Sequence, residues 1–359
     1  MQTDLIKLSG SPREMGLQHG RALKDEIHFL AKERYELAVS HAATHGISVN
    51  REQALRLARE LLPLHEKYSP EVHAEFKGIA EGAQISEEDL LIGNSLTDFR
   101  DTLWQTAPTP PGVPGCTSFG IARSRSASGK VLIGQTWDMH ATAQGVVHVF
   151  QRNPQRGPRS LTLSTSGCLS LIGINDAGIA IGNNNLVPKD ARQGVTYLAM
   201  IHEALRQTDF GRACAAITQA PRASGHNYYL ASNKGAIVNI ETTATQHDEV
   251  QIRNSYFAHT NHYVSEKLLP LANAAPLPST LHRLKRITQL LETHQPALDP
   301  EKLRQLFSDT DGFPDTCICC DRNANDTRSC AFVVLSPETG EMWATIGPPN
   351  SGPLTRYSL

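Results

Sequence analysis

Residues 107–121 read APTPPGVPGCTSFGI, and the change of texture inside this stretch decides the fold. Its prolines lack a backbone donor and its glycines loosen the chain, so 107–115 reads as an exposed loop or linker. At Cys116 the pattern turns to Thr117, Ser118, Phe119, Gly120 and Ile121, which predicts a strand. A thiol therefore opens a strand directly behind a loop.

Toward the N-terminus, the chain from Ser11 to about Leu64 is rich in Ala, Leu, Glu, Lys and Arg, with apolar residues at helical spacing. Two or three helices are predicted there. Ser86, followed by Glu87, Glu88 and Asp89, marks another helix start, because the hydroxyl caps free N–H groups and the acids suit the positive end of the dipole. Toward the C-terminus come short runs rich in β-formers, including KVLIGQTW, VVHVFQR, SLTLST, YYLAS, AIVNIE, CAFVVLS and EMWATIG, divided by Gly, Asn, Asp or Ser turns. Helical patterns interrupt them at Thr196 to Arg206, Gly211 to Gln219, and Leu281 to Glu292 and on to Phe307. Helices, then a proline loop, then β layers with inserted helices predict an α+β fold, a layered αββα arrangement with two mainly antiparallel sheets. The segments are 1–115, mainly helical, and 116–359, mainly β, joined in one globular unit.

Composition narrows the function. The 359 residues are 40% hydrophobic and 19% charged, enough for a sizeable core. A formal charge of -2 gives no electrostatic reason to expect nucleic acid or an anionic membrane as partner. The opening MQTDLIKLSGSPREMG lacks an apolar leader, and no run of about 18 apolar residues occurs, so the expected location is the cytoplasm. Seven cysteines, an odd number, are expected to be reduced thiols.

Gly115 has no side chain, so the 115–116 peptide is open to the neighbouring thiol and can adopt geometries closed to other residues. Attack by the thiol moves the acyl group from nitrogen to sulfur. Hydrolysis of that thioester frees Cys116 as a new N-terminus, whose α-amine titrates near about 8 and can take the thiol's proton. Nucleophile and base then share one residue.

Seven motifs in fixed order carry a resemblance that covers nearly the whole chain: GSPREMGLQHG (10–20), FKGIAEGAQIS (76–86), GCTSFG (115–120), GKVLIGQTWD (129–138), GINDAGIAIGNNNL (173–186), HTNHY (259–263) and TRSCAFVV (327–334). The sequence resembles the acyl-CoA:isopenicillin N acyltransferase-like family of cysteine peptidases, within the N-terminal nucleophile hydrolase superfamily. The resemblance implies a four-layer αββα fold, cleavage between Gly115 and Cys116, and two fragments that stay associated, with a homo-oligomer left open. It implies Cys116 as nucleophile, Asp138 as the acid that holds the new α-amine, Asn261 as oxyanion donor and Arg328 as the cation that orients a carboxylate. Asn185 and Ser118 are further substrate-binding candidates. An amide at the oxyanion contributes on the order of 3 kcal/mol to the transition state.

The sequence departs from the family in two places. Thr136 stands where the family has Asn before Trp137 and Asp138, and Cys317, Ile318, Cys319 and Cys320 replace an Ile–Cys–Arg element. The implied activity is hydrolysis of a small N-acyl amide, such as a penicillin or N-acyl amino acid, through a thio-acyl enzyme and without a cofactor. The first alternative is an acyl-CoA-dependent N-acyltransferase. The second is an unprocessed binding protein or a thiolate metal site, since Cys317 and Cys320 have C-x2-C spacing with Cys330 ten residues on.

Overall fold

The structure is a computed structural model that describes residues 5–44, 46, 48–104, 115–294, 297–322 and 327–359. The proline-rich part of the predicted loop, 107–114, lies outside the described residues. Strand β1 (Ile6–Gly10) precedes the helices α1 (Pro12–Ala22), α2 (Lys24–Thr44), α3 (Arg51–Tyr68), α4 (Pro70–Ala83), α5 (Glu87–Asn94) and α6 (Leu96–Trp104). Then follow β2 (Thr117–Ile121), β3 (Leu132–His140), β4 (Val147–Pro154), β5 (Ser160–Thr165), β6 (Ile172–Asn175) and β7 (Ile179–Leu186). Helices α7 (Tyr197–Leu205) and α8 (Phe210–Thr218) lead to β8 (Gly225–Ser232), β9 (Ile237–Thr242), β10 (His247–Gln251) and β11 (Tyr256–His259). The chain ends with α9 (Pro278–Thr293), α10 (Pro300–Phe307), β12 (Thr327–Ser336), β13 (Glu341–Ile346) and β14 (Thr355–Ser358).

Helix starts follow local chemistry. Ser11 caps α1 in a reciprocal capping box with Glu14, and the Ser86 hydroxyl accepts from the Asp89 N–H at 3.1 Å, as the acidic run behind it predicts. The helical region runs on to the end of α6 at Trp104.

Two sheets form the centre. One has the order β1-β4-β5-β6-β7-β8-β9-β10 and the other β11-β2-β3-β12-β13-β14. Among the described strands only β1 and β4 pair in parallel. Strands β6, β7 and β8 face β2, β3, β12 and β13 across the sandwich, while α1, α4 and α7 cover the larger sheet and α9 and α10 cover the smaller one. Phe119, Ile121, Phe332 and Val334 turn outward from the smaller sheet onto Ile287, Leu291, Leu303 and Phe307, so the alternate residues of β2 and β12 face the other sheet. The result is the αββα layering that the element order predicts. Because β1 inserts beside β4, the segments on either side of residue 115 share one core.

The two N-terminal motifs, 10–20 and 76–86, turn out to be one packing device. Helices α1 and α4 meet glycine on glycine: a Cβ built on Gly16 would stand 2.1 Å from the Glu75 carbonyl oxygen, and one on Gly78 2.3 Å from that of Arg13. This close approach seats Glu75 in the interior, where it takes Arg152 Nε at 2.7 Å and His202 Nε2 at 3.1 Å. Against the opposing pull of burial, His202 and Arg152 hold the Glu75 carboxyl well below the usual range.

Gly16→Ala is expected to lower stability by about 2–4 kcal/mol in urea unfolding, because backbone must move to admit the methyl group. Gly93→Ala, whose Cβ would meet Ala31 at an ordinary 3.4 Å, should change it by less than about 1 kcal/mol. Equal effects at the two positions would show that the α1–α4 approach is not a tight constraint.

Candidate active site

Strand register assembles the site. Strand β2 lies between β11 and β3, with His259 opposite Ser118 on one side and Thr136 opposite Thr117 on the other. Continuing each register by two residues sets Asn261 opposite Cys116 and Asp138 opposite Gly115. Thus the residues just before β2 stand between an amide and a carboxylate delivered by its two neighbours. All four line a cavity of about 660 Å³, within the range of small-molecule sites.

Cys116 is 8% exposed, and its thiol donates to the Asp138 main-chain oxygen at 3.9 Å. Burial, reinforced by the Asp138 charge, pushes the thiol up to about 12 in the uncleaved chain. Neither Asp138 carboxylate oxygen meets a donor in good hydrogen-bond geometry, although the Ser329 and Thr136 hydroxyls stand close by. Burial raises the carboxyl to about 7, with Arg283 and these two hydroxyls pulling the other way. Near neutral pH this carboxyl is poised to accept or release a proton.

Asn261 is held at three points. Its N–H donates to Thr280 Oγ1 at 2.8 Å, its Oδ1 accepts from Arg283 Nη2 at 3.0 Å, and its Nδ2 donates to the Asn185 main-chain oxygen at 3.0 Å. A guanidinium only donates, so the amide atom facing it is the oxygen, and Nδ2 is the donor that meets the Asn185 carbonyl. Gly115 lies against this amide so closely that a Cβ there would stand 2.2 Å from Asn261 Oδ1. The conformational freedom of a bare glycine matters here because any side chain would displace the amide.

The structure brings Cys116, Asp138, Asn261 and Asn185 together, and Asn185 Oδ1 is buried without a partner. It does not bring Arg328 or Ser118 to the cavity lining. Ser329, not Arg328, is in register with Asp138, and the Arg328 guanidinium pairs with Asp321. Ser118 donates to Asn184 Oδ1 at 2.6 Å within the sandwich. His259 is buried against Glu241 at 2.6 Å, whereas His262 lines the cavity beside Thr280, its imidazole lowered to about 4 by burial.

The cation that touches both Cys116 and Asn261 is Arg283, which no sequence motif marks. Its Nη1 donates to the Cys116 carbonyl at 2.7 Å and to Thr117 Oγ1 at 3.0 Å, and its Nε to Ser279 Oγ at 3.3 Å. A signal for it exists: the buried stripe of α9 runs from Leu291 through Ile287 to Arg283, Thr280 and Ser279, turning polar at the end nearest the site.

The candidate metal cysteines take other partners. Cys317, Cys319, Cys320 and Cys330 are buried free thiols, with Cys320 Sγ donating to the Thr327 carbonyl at 3.4 Å and Cys330 Sγ to that of Arg328 at 3.5 Å. Among the described residues, no three His, Cys, Asp or Glu side chains converge as a metal site. No helix among them is long and apolar enough to cross a membrane.

The site thus sets a buried thiol at the head of a central strand in an αββα sandwich, between a carboxylate and an amide. The chain belongs to the acyl-coenzyme A:6-aminopenicillanic acid acyl-transferase family, whose profile matches residues 124–351 and so spans Asp138, Asn261, Arg283 and Arg328. It is 24% identical over 350 residues to the acyl-coenzyme A:6-aminopenicillanic-acid-acyltransferase 40 kDa form of Emericella nidulans, covering 96% of this chain and 93% of that one. It is also 28% identical over 210 residues to an uncharacterized protein of Archaeoglobus fulgidus, covering 54% of this chain and 34% of that one. Among solved structures, a mutant of the conjugated bile acid hydrolase from Clostridium perfringens is similar with 9% identity and a TM-score of 0.45, over 67% of this chain and 92% of that one. Penicillin V acylase from Agrobacterium tumefaciens is similar with 14% identity and a TM-score of 0.44, over 67% and 84%.

The raised Asp138 carboxyl predicts a pH dependence of stability. The folded chain keeps this proton between the ordinary carboxylate value and about 7, whereas the unfolded chain has released it. Its contribution is therefore fully present at low pH and is lost as pH rises toward 7, on the order of 4 kcal/mol at most. Urea unfolding of the uncleaved Cys116→Ala variant between pH 4.5 and 8, beside Cys116→Ala/Asp138→Asn, should show that falling component only in the former. Identical pH profiles would refute a protonated, buried Asp138.

Proposed function

We propose that the protein is a self-processing cysteine amidohydrolase that cleaves small N-acyl amides through a thio-acyl enzyme. The observation that carries this reading is the position of Cys116, buried beside Asp138 and joined to Asn261 through Arg283, one residue after a glycine that only a bare backbone fits.

In the first reaction the Asp138 carboxylate takes the thiol proton and Cys116 Sγ attacks the Gly115 carbonyl carbon. The C–N bond breaks as the proton passes to the departing nitrogen, leaving a thioester that water hydrolyses to a Gly115 carboxylate and a free Cys116 α-amine. In the mature enzyme that amine is the base. The thiolate attacks the substrate carbonyl, Asn261 Nδ2 donates to the oxyanion, the substrate's amine leaves with the proton, and water releases the acid. One nucleophile and one oxyanion donor serve both reactions, so the substrate carbonyl takes the place the Gly115 carbonyl occupied.

The cavity supports an acyl amide with an anionic group. Leu37, Leu96, Trp137, Met139 and Leu277 give it apolar walls, and Asp138 is the one carboxylate among its described lining residues. Arg100 and Lys189 line it as cations; Arg100 is paired with Asp101 at 2.8 Å, and the Lys189 ammonium donates to the Pro270 carbonyl. An N-acyl amino acid or a penicillin has this combination of apolar acyl group, amide and carboxylate. An amine in place of water as acceptor would turn the same thio-acyl enzyme into an acyltransferase, the activity in the name of the Emericella nidulans relative. Seven unpaired cysteines suit a reducing compartment, the cytoplasm in this reading.

Intact mass spectrometry of purified protein should show two associated fragments meeting between Gly115 and Cys116, and Cys116→Ala should stay whole and lose at least about 10³-fold in amide hydrolysis. Gly115→Ala should slow fragment formation severalfold by displacing the Asn261 amide. A wild-type chain that remains whole and turns over no acyl amide would end this reading.

A further inference from the structure

We propose that Arg283 is the positioning residue of this site: one buried guanidinium that fixes the freed nucleophilic residue and the oxyanion donor in a single frame. The inference rests on the reading of Cys116 as nucleophile and adds a role that no motif in the sequence assigns.

Cleavage after Gly115 removes the covalent tether on one side of Cys116. Chain ends fray unless something ties them down, and a nucleophile that is also the N-terminus needs a tie that survives cleavage. The Cys116 carbonyl provides the attachment, since it stays on the C-terminal fragment, and Arg283 Nη1 holds it at 2.7 Å while gripping Thr117 Oγ1 at 3.0 Å. The other terminal nitrogen, Nη2, holds Asn261 Oδ1 at 3.0 Å. Because the guanidinium is a rigid plane, these contacts set the distance between nucleophile and oxyanion donor and choose which end of the amide faces the substrate. A lysine, with its donors gathered on one atom, cannot span both.

The surroundings of Arg283 separate this role from plain packing. It is 1% exposed, yet its hydrogen-bond partners are four neutral oxygens, of Cys116, Thr117, Asn261 and Ser279. A buried guanidinium without an ion-paired carboxylate is costly, and an apolar side chain of similar length would fill the same space at lower cost. The charge is placed instead where a thiolate and an oxyanion form. One turn earlier on α9, Thr280 Oγ1 accepts from the Asn261 N–H, so the same helix face holds the donor at backbone and side chain together.

The test compares wild type, Arg283→Met, Arg283→Lys and, as a folding control, Arg286→Lys, whose pair with Asp309 lies on the outer side of α9. Mass spectrometry gives the fraction of chain with a free Cys116, and kcat and KM for an acyl amide hydrolysed by wild type are expressed per free Cys116. Arg283→Met and Arg283→Lys are expected to lose about 10²-fold or more in kcat with KM within about threefold. Guanidinium ion at tens of millimolar should recover part of the Arg283→Met loss and none of the Arg283→Lys loss, while Arg286→Lys behaves as wild type. A kcat within threefold of wild type in Arg283→Lys, or losses shared equally by kcat and KM without guanidinium rescue, would overturn the role of Arg283 and leave that of Cys116 standing. A wild type that neither cleaves itself nor hydrolyses amides would overturn both.

Discussion

The site depends on the register of one strand. β2 is an inner strand, hydrogen-bonded along both edges, and slipping it by one residue would turn Phe119 and Ile121 from the α9–α10 core into the sandwich interior. The apolar packing on its outer face therefore fixes where Cys116 stands relative to Asn261 and Asp138. The spacing of the site is set in this way by hydrophobic residues several positions along the strand.

Two buried arginines show how the same side chain serves different ends. Arg152 meets Glu75 at 2.7 Å and Thr162 at 2.7 Å between α4 and the larger sheet, so its charge is neutralised where it is buried. That pair clamps a helix layer to a sheet. Arg283 makes contacts of equal quality with no carboxylate in ion-pair contact, and against the pull of burial the charges that act on it most are those of Asp138 and Cys116, the groups whose ionisation the proposed chemistry requires. Neutralised burial marks a structural clamp; unneutralised burial beside ionisable groups marks a place where charge develops.

Much of this was legible in the sequence. The proline-to-strand transition, the Ser86 cap and the alternating runs predicted the layers, because each depends on local chemistry. β1 was not, since IKLSG is short and its partner β4 lies about 140 residues on, a parallel pairing with no local signature. β10, HDEVQ, sits at a sheet edge with little buried surface and so lacks apolar alternation. At the site, Cys116, Asp138 and Asn261 were readable because motifs carry them. A motif carries Arg328, which pairs with Asp321 away from the cavity lining, whereas Arg283 touches Cys116 and Asn261 from a helix whose sequence looks merely amphipathic until its stripe is followed to its polar end.

The uncleaved site is electrostatically unfinished. Asp138 Oδ1 and Oδ2 and Asn185 Oδ1 are buried acceptors that no donor meets in good geometry, and together they line the cavity beside a thiol held at about 12. Unmet acceptors of this kind cost free energy that a group with several N–H donors would recover. The proposed cleavage would create such a group within the site, since a Cys116 α-ammonium has three. Its arrival beside Asp138 would pair the carboxylate, draw it back toward the ordinary range and favour the thiolate next to it. On this account the precursor is a poor nucleophile because burial and the Asp138 charge hold the thiol protonated, and it is poised to process because Asp138, at about 7, can take that proton; the new N-terminus would supply the positive charge that lets both ionise.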